Sequence, residues 1–149
     1  MNDHPSDSVV QQNAEIELLQ ILGQKLGHNL EPHNIKLNKK SSIQIDGFSA
    51  KGRILCEVYA HVGTLRGGQP DKLAADILKL NLAARRKGGQ WRKILLFADE
   101  SACKQLKGSS WLAEACKASR IEIEVAETSG EIREKIAAAQ RRQKMVNAE

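Results

Sequence analysis

From Ile43 to Val62 the chain alternates apolar and polar residues in two runs separated by a glycine-bounded break. That pattern is the signature of two strands joined by a hairpin connection. In the first run Ile43 and Ile45 share one face, and Gln44 and Asp46 share the other. In the second, Ile54, Cys56, Val58, Ala60 and Val62 lie opposite Leu55, Glu57, Tyr59 and His61. The segment GFSAKGR, with Gly47 and Gly52, is the connection. Each strand carries one acid among apolar neighbours, Asp46 and Glu57, and a chain needs a reason to put them there.

Helical periodicity flanks this pair. A helix is expected from about Val9 to Leu26, stopped at Gly27, and a short strand near Ile35 to Leu37. After the glycine-rich GTLRGGQ comes a helix from about Pro70 to Lys87, with proline in its first turn and KGG as its stop. Leu73, Ile77, Leu80 and Ala84 form its apolar stripe. WRKILLFAD has the continuous apolar character of a central strand. Short helices over Ser101–Lys107 and Trp111–Ala118, an edge strand over Ile121–Val125 and a helix over Glu131–Lys144 complete the order. The reading is a mixed α/β sheet domain over residues 9–144, with a disordered N-terminus (1–8) and a fraying C-terminal tail (145–149).

Composition narrows the function classes. The chain has 149 residues, enough for one domain with a real core. Aromatic residues make up 3% of it, so rows of base-stacking side chains are not expected. A net charge of +5 permits a polyanionic partner. Cys56, Cys103 and Cys116 are odd in number and show no Cys-x-x-Cys spacing, so they read as buried thiols in a reducing cytoplasm rather than disulfides or a zinc site. The polar, acidic start is unlike a secretory signal, and no apolar run reaches the length of a membrane span.

A third acid joins the first two. In the first helix Leu18, Leu19, Leu22 and Leu26 define a stripe, and Glu15 lies in it, three residues before Leu18, while Glu17 points to solvent. A carboxylate on a buried face must be paired or bind a cation. Carboxylates drawn together repel one another, and Mg²⁺ relieves this because oxygen ligands suit it. The ordinary readings stay open: Asp46 as a solvated residue before a turn, Glu57 paired with Arg53 or Lys51, Glu15 at a helix edge.

Helix Glu15, the strand IQIDGF with Asp46 and the strand ILCEVYA with Glu57 together resemble the PD-(D/E)xK, or restriction-endonuclease-like, nuclease superfamily. The resemblance covers about Val9 to Asp99. It implies a core of helix, three-stranded meander, helix and strand. It also implies a Mg²⁺ (or Mn²⁺) site on Asp46, Glu57 and the Val58 carbonyl, with Glu15 contributing directly or through water. Tyr59 stands where the E-x-K motif has its lysine. Some members carry that lysine on the following helix, where Lys72 is the candidate to orient the attacking water. Gln69, Lys79 and Arg66 are candidate nucleic-acid contacts, DNA foremost, and nucleases that cut two strands are often homodimers. Beside this stand two other readings: a nuclease fold without catalysis that binds nucleic acid or a protein, and a plain α/β interaction module.

Overall fold

A strand with two apolar faces needs a layer of helices on each side. The computed structural model describes residues 7–63, 65, 67–126 and 130–148, and in it the strand holding Glu57 is buried at every position. The order is α1 (Asp7–Leu26), β1 (Glu31–Lys36), β2 (Ser42–Ser49), β3 (Ile54–Tyr59), α2 (Gln69–Lys87), β4 (Arg92–Phe97), α3 (Glu100–Cys103), a 3₁₀ turn (Lys104–Lys107), α4 (Trp111–Ala118), β5 (Ile121–Val125) and α5 (Gly130–Ala148). The five strands form one mixed sheet in sequence order. β1, β2 and β3 are an antiparallel meander, while β3, β4 and β5 run parallel. This is the expected helix–meander–helix–strand core with a C-terminal helix. Among the described residues no helix is long and apolar enough to cross a membrane.

The two faces of β3 divide the core as the alternation predicts. Ile54, Cys56, Val58 and Ala60 pack with Leu18, Leu19 and Leu22 of α1 and Ile136 of α5. Leu55 and Tyr59 pack with Leu73, Ile77 and Leu80 of α2 and with residues of α4. All three cysteines are free and buried. α1 begins at Asp7, earlier than expected, and α5 continues to Ala148 through the basic stretch expected to fray. Residues 1–6 and 149 lie outside the described residues.

Strict alternation fails at one point in β2. Glu31 pairs with Phe48 and His33 with Ile45, so Asp46 and Gly47 together oppose Pro32 alone. Proline has no N–H to give the ladder, and a bulge beside it accommodates that loss. The extra residue re-phases the strand, so Phe48 joins Ile43 and Ile45 against the α2-side core. It also brings Gly47 under α1, where a Cβ would stand 2.5 Å from Leu19 Cδ2 and 3.4 Å from the Cβ atoms of Cys56 and Leu30. The missing side chain thus lets α1 approach β2 one turn beyond Glu15. Gly47→Ala is expected to cost about 1–3 kcal/mol by forcing Leu19 out of place. Denaturant unfolding checks this, and an unchanged midpoint would mean that α1 yields freely.

The segment after β3 is held by side chains rather than by a ladder. The Gln140 amide accepts from Val62 N (2.8 Å) and donates to Val62 O (3.1 Å). Asp99 accepts from Gly63 N at 2.7 Å.

Candidate functional site

Asp46 is aimed by its bulge. The β2–β3 ladder spans Gly47–Ser49 against Ile54–Cys56 and stops there. Beyond it Val58 N–H donates to Asp46 Oδ2 at 2.9 Å, so the carboxylate takes over from the ladder where the strands part. The Val58 side chain itself is buried in the α1-side core.

Glu57 points to the opposite face, beneath α2, and only 1% of it is exposed. Spacings of four and three residues put Lys72, Asp76 and Lys79 on one side of α2. Lys79 Nζ lies 2.7 Å from Glu57 Oε1, so the partner of Glu57 is this lysine and neither Arg53 nor Lys51. Arg53 is engaged elsewhere, donating to the carbonyls of Gln90 and Gly88. At that distance the ammonium reaches Oε1 both as a charge and as a hydrogen-bond donor. Burial above all, then a hydrogen bond to Asp46 and its charge, pushes the Glu57 carboxyl from 4.5 up to about 9, against the pull of Lys79. The Lys79 ammonium is in turn held above its ordinary range, because the contact with Glu57 and the charges of Asp46 and Asp76 outweigh its desolvation.

Two more acids complete the cluster. Glu15, half-buried on α1, is raised from 4.5 to about 7 by burial and by Asp46, with Lys72 opposing and Asp76 adding. Asp76, buried on α2, is raised from 3.8 to about 6, chiefly by burial, with Lys72 and Lys79 opposing and Asp46 adding. Glu15, Glu57 and Asp76 therefore each lie within electrostatic reach of Asp46 and of at least one of the ammonium groups of Lys72 and Lys79. Asp76 is the member that sequence reasoning leaves unassigned. Its i+4 spacing from Lys72 puts it on the right flank, but depth along a flank is not a sequence signal.

The motif-lysine position is filled differently. Tyr59 is buried, its ring 5.5 Å from Phe97 and 4.7 Å from His61, and its hydroxyl has no partner among the described residues. Burial pushes that hydroxyl upward, so it stays protonated. Lys72 Nζ stands 5.6 Å over the Tyr59 ring, a cation–π arrangement. Burial and Lys72 together hold the His61 ring toward its neutral form. Lys72 thus sits beside the acids, whereas Gln69 opens α2 and lines, with Gln140 and Arg141, a groove of about 600 Å³ between the β3–α2 loop and α5. Arg66 lies outside the described residues.

The donor set consists of hard carboxylate oxygens, which is the chemistry Mg²⁺ and Mn²⁺ select. Burial first, and Asp46 second to it, raise three of these carboxyls, and the Glu57 oxygen already holds the Lys79 ammonium at 2.7 Å. These residues fit a divalent ion in kind. Among the described residues, no three His, Cys, Asp or Glu side chains are drawn together into a ready-made metal cage. No protein-family model matches the chain, and neither does any curated protein or solved structure.

Proposed function

We propose that this cluster is the hydrolytic centre of a metal-dependent nuclease-like domain that cleaves phosphodiester bonds in nucleic acid, DNA foremost. One observation carries the reading. Glu15, Asp46, Glu57 and Lys72 come from four separate elements, and Asp46, where the β2–β3 ladder opens, lies within electrostatic reach of both Glu15 and Glu57, with Lys72 in reach of Glu15. The order of elements supports the resemblance to the PD-(D/E)xK nucleases. In this reading Asp46 and Glu57 hold Mg²⁺ or Mn²⁺, with the Val58 carbonyl as a further ligand and Glu15 acting directly or through water. Bound there, the ion would polarise a phosphoryl oxygen and lower the pKa of a coordinated water. Lys72 orients the attacking water and offers positive charge to the phosphate, in place of the lysine that Tyr59 replaces. Three buried thiols suit a reducing cytoplasm. Two copies would serve to cut both strands of a duplex.

The test is cleavage of plasmid DNA, single-stranded DNA and RNA with Mg²⁺ or Mn²⁺. Wild-type cleavage should vanish with EDTA and fall at least about 100-fold in Asp46→Asn and Glu57→Gln, with a decrease of similar order in Lys72→Met. Metal-dependent cleavage that survives Glu57→Ala would overturn the assignment. A second reading, a nuclease fold that binds without cutting, is favoured by Tyr59 at the lysine position and by Lys79 already seated on Glu57. Calorimetry separates the two. Mn²⁺ heat that disappears in Asp46→Ala/Glu57→Ala supports the hydrolytic reading, and nucleic-acid binding with no Mn²⁺ dependence supports the second.

A further inference from the structure

About 12 Å along α2 from Lys79, at about 1.5 Å per residue, the charge reverses. The last turn of α2 carries Arg85, Arg86 and Lys87. The neighbouring β1–β2 hairpin carries Lys36, Lys39 and Lys40. Arg86 joins the two segments by donating to Leu37 O at 2.5 Å. All six cations are exposed, and among the described residues none of them forms an ion pair. The whole chain has a net charge of only +5, so these two adjoining segments hold more positive charge than the molecule's balance.

The face is built to stay in place. Asn38 Oδ1 accepts from Lys40 N and Ser41 N, both at 2.8 Å, and sets the hairpin turn. Lys36, Lys39 and Lys40 border a recess of about 270 Å³ that no acid lines. On the α2-side face of the sheet, opposite Asn34 and Lys36, His33, Phe48 and Trp91 stack in a row, with centroids 4.0 and 5.6 Å apart. Lys87 Nζ stands 5.0 Å over Phe48, and the Arg53 guanidinium stands 4.9 Å over Trp91. The rings stack on one another and carry Lys87 and Arg53, so of the six cations they steady Lys87. Exposed, unpaired cations on adjoining segments attract a polyanion and release its counterions on binding.

We propose that this face, the tip of the β1–β2 hairpin together with the last turn of α2, is a nucleic-acid-binding surface that grips the phosphodiester backbone without reading sequence. It names the partner that the hydrolytic reading requires. Binding here needs neither metal nor cleavage, so the two proposals fail separately.

The experiment is fluorescence anisotropy in EDTA with a labelled 20-bp duplex and a single strand of the same length, at a series of NaCl concentrations. Lys36→Gln/Lys39→Gln/Lys40→Gln changes only exposed side chains, and its melting curve checks the fold. It is expected to weaken binding at least about 10-fold and to reduce the slope of log K against log[NaCl] by about 2–3, at about 0.9 for each phosphate that is no longer neutralised. Arg85→Gln/Lys87→Gln should act in the same direction. Lys104→Gln/Lys107→Gln, which removes two exposed cations from the 3₁₀ turn, should leave affinity and slope unchanged. Wild-type affinity and slope in both cationic variants would overturn the proposal. So would absence of binding to both oligonucleotides, or hairpin-dependent binding to phosphatidylserine vesicles without binding to either.

Discussion

Lys79→Met is expected to destabilise the protein by an amount that depends on pH, about 1 kcal/mol at pH 7 and about 3 kcal/mol or more at pH 10. At pH 7 the Glu57 carboxyl keeps its proton, with its pKa at about 9, so removing the ammonium costs little more than one polar contact. At pH 10 the wild type ionises Glu57 against a lysine held cationic 2.7 Å away. The variant cannot do so without leaving a charge buried and alone. Methionine keeps most of the lysine's apolar stem, which limits the damage to packing. Urea unfolding at the two pH values measures the difference, and adding Glu57→Gln should remove its pH-dependent part. An equal destabilisation at pH 7 and pH 10 would mean that Glu57 is ionised throughout.

The cluster as a whole should make stability fall as pH rises. A carboxyl whose pKa is raised on folding contributes stability that is complete below its unfolded value and lost as pH climbs through its folded value. That window runs from 3.8 to about 6 for Asp76, from 4.5 to about 7 for Glu15 and from 4.5 to about 9 for Glu57. The neutral-leaning His61 opposes this on the acid side, because its ring must charge as pH drops. Between about pH 6 and pH 8.5 the melting temperature is expected to fall by roughly 5–10 °C, after discounting the partly exposed Glu15 for solvent screening. Glu57→Gln should flatten the alkaline end of the fall. If the cluster takes a divalent ion, about 10 mM Mn²⁺ should raise the melting temperature more at pH 8.5 than at pH 6, since the ion competes with protons for the same oxygens. A profile that rises across this range would rule out the raised carboxyls.

The order of elements is legible in the sequence because each carries a local signal. Pro70 and KGG bound α2, and β3 shows two apolar faces in its own alternation. β1 is longer than its sequence suggests because Glu31, Pro32 and Asn34 face solvent on an edge strand and leave no apolar pattern. α5 runs past its expected end because Gln, Arg, Lys and Met are good helix formers even without a buried face. The bulge at Asp46–Gly47 is not legible, since pairing register depends on the neighbouring Pro32 rather than on β2 itself. The acids of the candidate site are visible as charges on apolar faces. Their partners are not. Lys79 and Glu57 are 22 residues apart in sequence, and only the docking of α2 on β3 brings them together. The basic face is hidden for the same reason, its six cations being split between the hairpin and the end of α2. The low aromatic content conceals that His33, Phe48 and Trp91 gather into one row.

The grip of Gln140 on Val62 has a consequence for how the chain is made. A side-chain amide near the end of the chain plays the part of a missing ladder neighbour for the segment that leads into α2. α5, which carries it, also packs in one core with α1, which precedes every strand of the sheet in the chain. Synthesis runs from the N-terminus, so α1 and the β3–α2 connection leave the ribosome well before their shared clamp exists. Glu15 sits on α1 and Lys72 on α2, so both flanks of the candidate site await α5.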